Sequence, residues 1–227
     1  MPDIDLARTK LRKLNQQLHD VGPDANERLF RILNPRGGHA IAVGLTQPLD
    51  VVVEGHAGFY CGGMNQAADI VINGHAGPGV AENMVSGSVR VKGNASQSAG
   101  ASGRGGLLVI EGDASARCGI SMKGIDIVVG GSVGHMSAFM GQTGHLVVLG
   151  DAGHDLGDSL YEAMLFVRGA VASLGADCIE KPMRTEHLET LSRLLTRAGL
   201  AAAPESFRRY GSARRLYHFH VDHAASY

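Results

Sequence analysis

The glycines of this chain follow a period of 19 residues. A short apolar run ends in glycine at seven evenly spaced positions: Gly55, Gly74, Gly93, Gly112, Gly131, Gly150 and Gly169. The chain has 32 glycines in 227 residues, too few to place seven in register by chance, so the period indicates an internal repeat. We call these seven residues the marker glycines and number positions within each repeat from them.

Each repeat has the same internal pattern. The positions four and two before every marker are aliphatic, as at Val51 and Val53, and the position just before it is usually polar, as at Glu54. This alternation predicts a strand with alternate side chains facing inward. Positions +3 and +7 hold small residues, which gives the unit G-x-x-G-x-x-x-G, and position +2 holds alanine or valine, which suits a narrow interior.

A 19-residue unit with one four-residue strand limits the possible folds. It is too short for a propeller blade and lacks the leucine and asparagine pattern of leucine-rich repeats. The pattern predicts an all-β fold in which each unit is one coil of a parallel β-helix. Seven coils stacked about 4.8 Å apart give a solenoid roughly 30 Å long. We expect glycine at the corners because they need positive φ or a close backbone approach.

Sequence patterns on both sides of the repeat predict helices. We expect an amphipathic helix over 4–19, a second over 25–33, a lead-in strand at 38–44, and a third helix over 184–198 followed by Gly199 as its cap. The predicted organisation is therefore an N-terminal helical flank at 1–38, the β-helix at 39–180, and a C-terminal helix and tail at 181–227. These flanks are expected to cover the ends of the solenoid.

Composition excludes several classes of protein. The 21 basic and 22 acidic residues give a net charge of -1, whereas binders of nucleic acid or anionic membranes need a positive excess. The three cysteines include no C-x-x-C pair, which argues against a disulfide framework or an iron–sulfur site. The N-terminus has no apolar signal-peptide core, and no apolar run approaches the roughly 20 residues that span a bilayer. We therefore expect a cytoplasmic protein.

Three groups of residues have candidate chemistry, and each also has a structural interpretation that we favour. The C-terminal His218, His220 and His223 with Asp222 have a spacing that metals use, but also fit a terminal strand or arm. His56 and His75 fall at the same place in successive coils, as a metal pair or as part of an outer polar ladder. Cys118 lies near two cations and is either a nucleophile or a buried structural thiol.

A further pattern concerns the outer face of the strands. Position -3 of each repeat should face outward, and six of its seven residues are apolar. We call this set the outer strip: Val52, Val71, Arg90, Val109, Val128, Val147 and Phe166. An apolar strip of this length is usually covered, so the flanking helices or another subunit should pack on it.

The repeat and several longer segments resemble a known family. The coil pattern is similar to the GXGXG domain at the C-terminus of the glutamate synthase large subunit and to the C subunit of formylmethanofuran dehydrogenase. The segments "YCGGMNQAADIVINGHAG", "RCGISMKGIDIVVGGSVGHMSAFM" and "GDSLYEAMLFVRGAVASLGADC" look most like the stand-alone B subunit of N-methylglutamate synthase. The resemblance extends over nearly the whole chain.

This resemblance implies a right-handed β-helix that carries no catalytic residues. It implies a scaffold between a glutamine amidotransferase-like subunit and an FMN-binding, glutamate synthase-like subunit, in a complex that makes N-methylglutamate and ammonia from methylamine and glutamate. FMN and an iron–sulfur cluster are then expected on a partner, with no cofactor or metal on this chain. The polar residues Asn83, Arg117 and Lys123 are expected on non-strand coil edges and are candidates for contact with a partner or for lining an ammonia path.

Two alternatives remain open at this stage. The second hypothesis is the C subunit of a formyltransferase/hydrolase-like complex that acts on one-carbon carriers. A third hypothesis is an autonomous metal-dependent enzyme that uses the C-terminal histidines.

Overall fold

A computed structural model describes residues 2–215 as one 11-stranded sheet wound into a solenoid, with two helices packed on it. The strands are β1 (Asp3–Asp5), β2 (Leu29–Leu33), β3 (Asp50–Glu54), β4 (Asp69–Ile72), β5 (Ser88–Val91), β6 (Leu107–Ile110), β7 (Lys123–Val129), β8 (Thr143–Val148), β9 (Met164–Val167), β10 (Cys178–Lys181) and β11 (Arg208–Ser212). The helices are α1 (Leu11–His19) and α2 (Thr185–Ala198), and a 3-10 turn occupies Pro204–Ser206. In this part of the chain, neither helix has the length and apolarity to cross a bilayer.

Strands β3 to β9 are the seven predicted strands, one before each marker glycine, and they confirm the parallel β-helix. Each pairs in parallel with the next in a register set by the repeat, so that Val51 faces Ile70 and Ile70 faces Val89. These inward-facing side chains are at most 1% exposed. Burial of one aliphatic pair per coil gives the solenoid a continuous core that no single coil can form alone.

Two further ladders close each coil. The alanine or valine at position +2 forms single bridges from Ala57 to Val171, coil upon coil. Beyond it, positions +5, +7 and +9 have positive φ in almost every coil, as at Ser98, Gly100 and Ser102 with φ of 61°, 68° and 54°. This alternation turns the chain by a tight corner while the amide groups still bond to neighbouring coils, as in Ser98 N–H to the Ala116 carbonyl at 2.9 Å.

The marker glycines are needed for space rather than for their φ. Among the seven, positive φ occurs only at Gly55, whereas the glycines at position +7, such as Gly62 and Gly100, have positive φ, so the two expected reasons for glycine both occur, at different positions of the coil. A Cβ on Gly74 would lie 2.7 Å from the Gly55 carbonyl oxygen and 2.8 Å from Nδ1 of His56. Each marker therefore lies directly against the preceding coil, where a side chain does not fit.

The N-terminal flank contains an additional coil, which corrects two predictions. Residues 29–33, expected to be helical, form β2, which pairs in parallel with β3 through Phe30 and Val51. Residues 38–44, expected to be a lead-in strand, form a corner with positive φ at Ala40, Ala42 and Gly44. The 19-residue pattern did not reveal this coil for two reasons. Its strand lies 21 residues before the next strand, as Phe30 lies before Val51, and Pro35 stands before the corner where the other coils have a glycine.

Helix α1 closes the N-terminal end. It is shorter than the predicted 4–19, because Asp3–Asp5 form β1 beside β2. Asn15 accepts a hydrogen bond from the Ala42 N–H at 3.0 Å and donates one to the Ala40 carbonyl at 2.8 Å, and Nε2 of His19 lies 2.9 Å from the Val43 carbonyl oxygen. The Ala42 N–H and the Val43 carbonyl have equivalents in later coils that bond the preceding coil, as the Gly62 N–H bonds the Ile41 carbonyl. Helix α1 therefore substitutes for a preceding coil at these groups.

The C-terminal end is closed by two antiparallel strands that the sequence did not predict. β11 pairs with β9 and β10 pairs with β11. The third predicted helix is confirmed as α2, and Gly199 is its left-handed C-cap with φ of 64°. Leu191, Leu194 and Leu195 of α2 pack with Val109, Val128, Val147 and Phe166 in a second buried cluster outside the solenoid. A flanking helix thus covers this part of the outer strip.

Candidate functional site

His56 and His75 belong to a structural ladder on the outside of the coils. Their rings stack with centroids 4.9 Å apart and planes 9° apart. Nδ1 of His56 accepts the His75 N–H at 2.9 Å, and Nδ1 of His75 accepts the Asn94 N–H at 2.8 Å. Because Nδ1 of each ring faces a backbone N–H, each ring accepts there through an unprotonated nitrogen.

The same bond repeats at position +1 of the next coils. The side chains that accept the N–H of the following coil are those of Asn94, Asp113, Ser132 and Asp151. Each of these side chains has an acceptor atom two or three bonds from Cα. An acceptor at this distance reaches the backbone N–H of the next coil. The outer polar ladder is confirmed as the role of this position. In the span 2–215 no cluster of three or more His, Cys, Asp or Glu residues is placed to hold a metal ion.

Cys118 is a core residue rather than an exposed thiol. Its side chain is fully buried at position +6, where Cys61 lies in an earlier coil, and burial raises the pKa of each thiol to about 12. The neighbouring Arg117 is exposed and its positive φ places it at the corner. The thiolate is the nucleophilic form, and a buried thiol with a raised pKa forms little of it, which favours the structural interpretation of Cys118.

The C-terminal histidines His218, His220 and His223 and Asp222 lie outside the described residues. The last strand before them, β11, ends at Ser212, and its hydroxyl donates to Asp177 at 2.8 Å.

Asn83, Arg117 and Lys123 are all exposed. Asn83 and Arg117 lie outside strands, as expected, whereas Lys123 is the first residue of β7, so its expected non-strand position is wrong. They occupy positions +9, +5 and +11 of their repeats, and we call the surface formed by the exposed residues at these three positions the corner face. Arg117 and Lys123 belong to the same coil, whereas Asn83 lies two coils nearer the N-terminus. Their proposed contact with a partner remains a prediction.

The sequence interpretation missed a fourth polar residue on this face. Arg104 is exposed at position +11, and the Lys123 N–H bonds the Gly103 carbonyl at 2.7 Å, which places the two cations side by side on adjacent coils. The signal was available, because Arg104 and Lys123 are one period apart.

A second missed group ties α2 to the sheet. Nδ1 of His145 lies 2.8 Å from Oδ1 of Asp126 on the adjacent strand, and Arg197 in the last turn of α2 reaches Oδ2 of the same aspartate at 3.2 Å. Asp126 and His145 are again one period apart. Their side chains are only about a fifth exposed, so this network anchors the helix.

Comparison with known proteins identifies a full-length relative. No protein-family model matches the chain, and no solved structure matches it. The chain is 63% identical over 228 residues to Protein GlxC of Rhizobium meliloti (strain 1021), and the alignment covers the whole of both chains. At this identity and coverage, the chain belongs to the family of Protein GlxC.

Proposed function

We propose that this chain is a non-catalytic scaffold subunit of a heteromeric glutamate synthase-like enzyme. In its most specific form the proposal is N-methylglutamate synthase, which converts methylamine and glutamate to N-methylglutamate and ammonia. The chain would link an amidotransferase-like subunit to an FMN and iron–sulfur synthase-like subunit. The proposal is supported by the resemblance of the repeat segments to that family and by the β-solenoid fold that the resemblance implies.

The observation that supports a non-catalytic role is that the candidate side chains already make structural contacts. His56 and His75 accept backbone hydrogen bonds in a ladder, and Cys118 is buried among aliphatic residues. The interior of the coils is filled by aliphatic side chains from β3 to β9. Groups committed to holding the backbone in this way are poorly placed to act on a substrate.

The first test is purification of the tagged chain from its native host under mild conditions. The expected result is a coloured complex with flavin and iron–sulfur absorption that contains amidotransferase-like and synthase-like chains. The complex should form N-methylglutamate from methylamine and glutamate, and the separated tagged chain should not. Turnover by the separated chain would refute the scaffold role.

A second candidate is the C subunit of a formylmethanofuran dehydrogenase-like complex, because the 19-residue coil pattern is common to both groups. The same purification distinguishes them. Co-purification of amidohydrolase and formyltransferase chains, without N-methylglutamate formation, would favour this second function.

A further inference from the structure

Three cations of the corner face lie on two adjacent coils. Arg104 and Lys123 are neighbours on adjacent coils, and Arg117 is on the coil of Lys123; all three are exposed. Adjacent coils are about 4.8 Å apart, so the three charges occupy a band two coils wide. The regular corner hydrogen bonds fix the backbone positions from which these side chains extend.

In the described part of the chain, several other cations of the solenoid have a carboxylate partner that these three lack. Arg31 pairs with Asp3 at 2.9 Å, and Arg90 and Lys92 both pair with Glu111. Over residues 2–215, by contrast, no salt bridge involves any of the three cations of the corner face. The nearest acidic residues along the chain bond other groups: Asp113, four residues before Arg117, accepts the Ser132 N–H, and Asp126, three residues after Lys123, bonds His145 and Arg197. The band is therefore locally positive on a chain of net charge -1.

Large apolar side chains stand exposed on both sides of this positive band. On the N-terminal side are Tyr60, Met64 and Val85, which are 52%, 53% and 44% exposed. On the C-terminal side is Met140, which is 41% exposed and occupies the same position as Met64 four coils earlier. The two methionines are thus about 19 Å apart along the solenoid, at four strand spacings. Exposed methionine is typical of surfaces that bind partners.

We propose that the corner face is the docking surface for a partner subunit that presents carboxylates between two apolar patches. The inference rests on the proposed function, since it names the face through which the scaffold holds a neighbour. The unpaired cations favour a partner surface with carboxylates at its centre. The exposed apolar side chains on both sides favour apolar patches at the edges of that partner surface. Three cations displace too few counterions to hold a nucleic acid strongly, and methionine and valine flank them where a nucleic-acid site would have further basic residues.

The test measures binding between the chain and the partner subunit isolated from the complex described above. The variant Arg104→Glu, Arg117→Glu, Lys123→Glu is compared with a control of equal charge change, Arg12→Glu, Lys13→Glu, Arg193→Glu, on the exposed faces of α1 and α2. We expect the corner variant to bind about 100-fold more weakly and the control to stay within about 3-fold of the unmodified chain. Thermal unfolding of both variants verifies that they fold.

Salt dependence separates the two parts of the surface. Binding by the unmodified chain should weaken as NaCl is raised, and the corner variant should lose this dependence. The variant Met64→Gln, Met140→Gln should weaken binding about 10-fold while it keeps the salt dependence, because it changes only the apolar flanks.

The possible failures are distinguishable. If a partner accompanies the chain but the corner variant binds it as well as the control does, the docking inference is overturned and the scaffold function stands. If no chain accompanies the unmodified protein, both fall. If the free chain binds a single-stranded oligonucleotide, and the corner variant loses that binding but keeps the partner, the cations serve nucleic acid and the inference is overturned.

Discussion

At the scale of single residues, the role of a side chain depends on the residue one period away. Gly112 illustrates this dependence. Its φ is not in the left-handed region, but a Cβ at this position would overlap Oδ1 of Asn94 and lie 3.0 Å from the Gly93 carbonyl oxygen. Asn94 is held there because it accepts the Asp113 N–H at 3.0 Å. A small residue and a hydrogen-bonding residue are thus required together.

We predict that Gly112→Ala lowers the free energy of unfolding by about 1–3 kcal/mol, because the new methyl group displaces Asn94 and strains the backbone below it. Urea denaturation provides the measurement. Gly22→Ala is the matched control and should change stability by less than about 0.5 kcal/mol, since nothing lies within 4 Å of its Cβ. In the Asn94→Ala background the cost of Gly112→Ala should fall; equal costs in both backgrounds would contradict the proposed contact.

At the scale of elements, α2 and the strands beneath it form a unit. The helix packs its leucines on the outer strip, and Arg90 at the edge of the strip donates to the Ala198 carbonyl at the helix C-terminus at 2.7 Å. The one charged member of the strip therefore stabilises the end of the helix that covers the apolar members. Val52 and Val71, farther toward the N-terminus, remain partly exposed.

Leu194→Ala should destabilise the protein by about 2–5 kcal/mol, because the side chain is 1% exposed in the cluster beneath α2. Thr196→Ala, on the exposed side of the same helix, should have little effect. Hydrogen exchange followed by mass spectrometry should show faster exchange in α2 than in β3 and β4 for the leucine variant. Equal acceleration in all of these elements would indicate that the helix does not loosen separately.

The link between β5 and β6 predicts a pH dependence. Burial raises the pKa of Glu111, but hydrogen bonds from Lys92 and Arg90 outweigh burial, and the net pKa is below its ordinary value of 4.5. A carboxyl group whose pKa is lowered by folding adds stability above its unfolded-state pKa, and this stability is lost as pH falls through the folded-state value.

The expected consequence is that wild-type protein exceeds Glu111→Gln in stability by about 1 kcal/mol at neutral pH. The difference should close as pH falls below 4.5. Urea denaturation of both proteins across this range measures it, and Glu189→Gln on the exposed face of α2 is the control. A difference that persists at low pH would show that the charge of Glu111 is not its cause.

At the scale of the whole molecule, the protein is a stack of coils closed at both ends. Asn15 and His19 of α1 bond the first corner, and the antiparallel β10 and β11 end the ladder beyond β9. Closed ends leave the number of internal coils free to vary, because each coil contacts mainly its neighbours.

Deletion of residues 56–74 should therefore be tolerated, since it removes one whole period and joins Gly55 to His75, a residue equivalent to His56. We expect a folded protein with β-type circular dichroism and a lower melting temperature. Deletion of residues 56–64, about half a coil, should prevent cooperative folding because the strands no longer align. If both deletions behave alike, coils are not the units of this fold.

By itself, the sequence determined the repeat, the parallel β-helix, the inward pairs such as Val51 and Val53, the outer polar ladder and the existence of α2. All but α2 follow from a pattern that recurs every 19 residues. Because each coil must satisfy the same packing and hydrogen-bonding requirements, the same residue types appear at the same positions seven times. The corner face also follows the period, although its cations were recognised only in part.

Only the tertiary structure decided the features that occur once and the contacts between successive coils. Residues 29–33 became a strand because β3 offers an edge for pairing, which local periodicity in five residues does not reveal. The marker glycines are required by the coil beneath them, a contact 19 residues away in the chain. Helix α2 connects β10 to β11, and the antiparallel pairing of these strands at the end of the stack fixes the position of the helix. This position determines which part of the outer strip the helix covers.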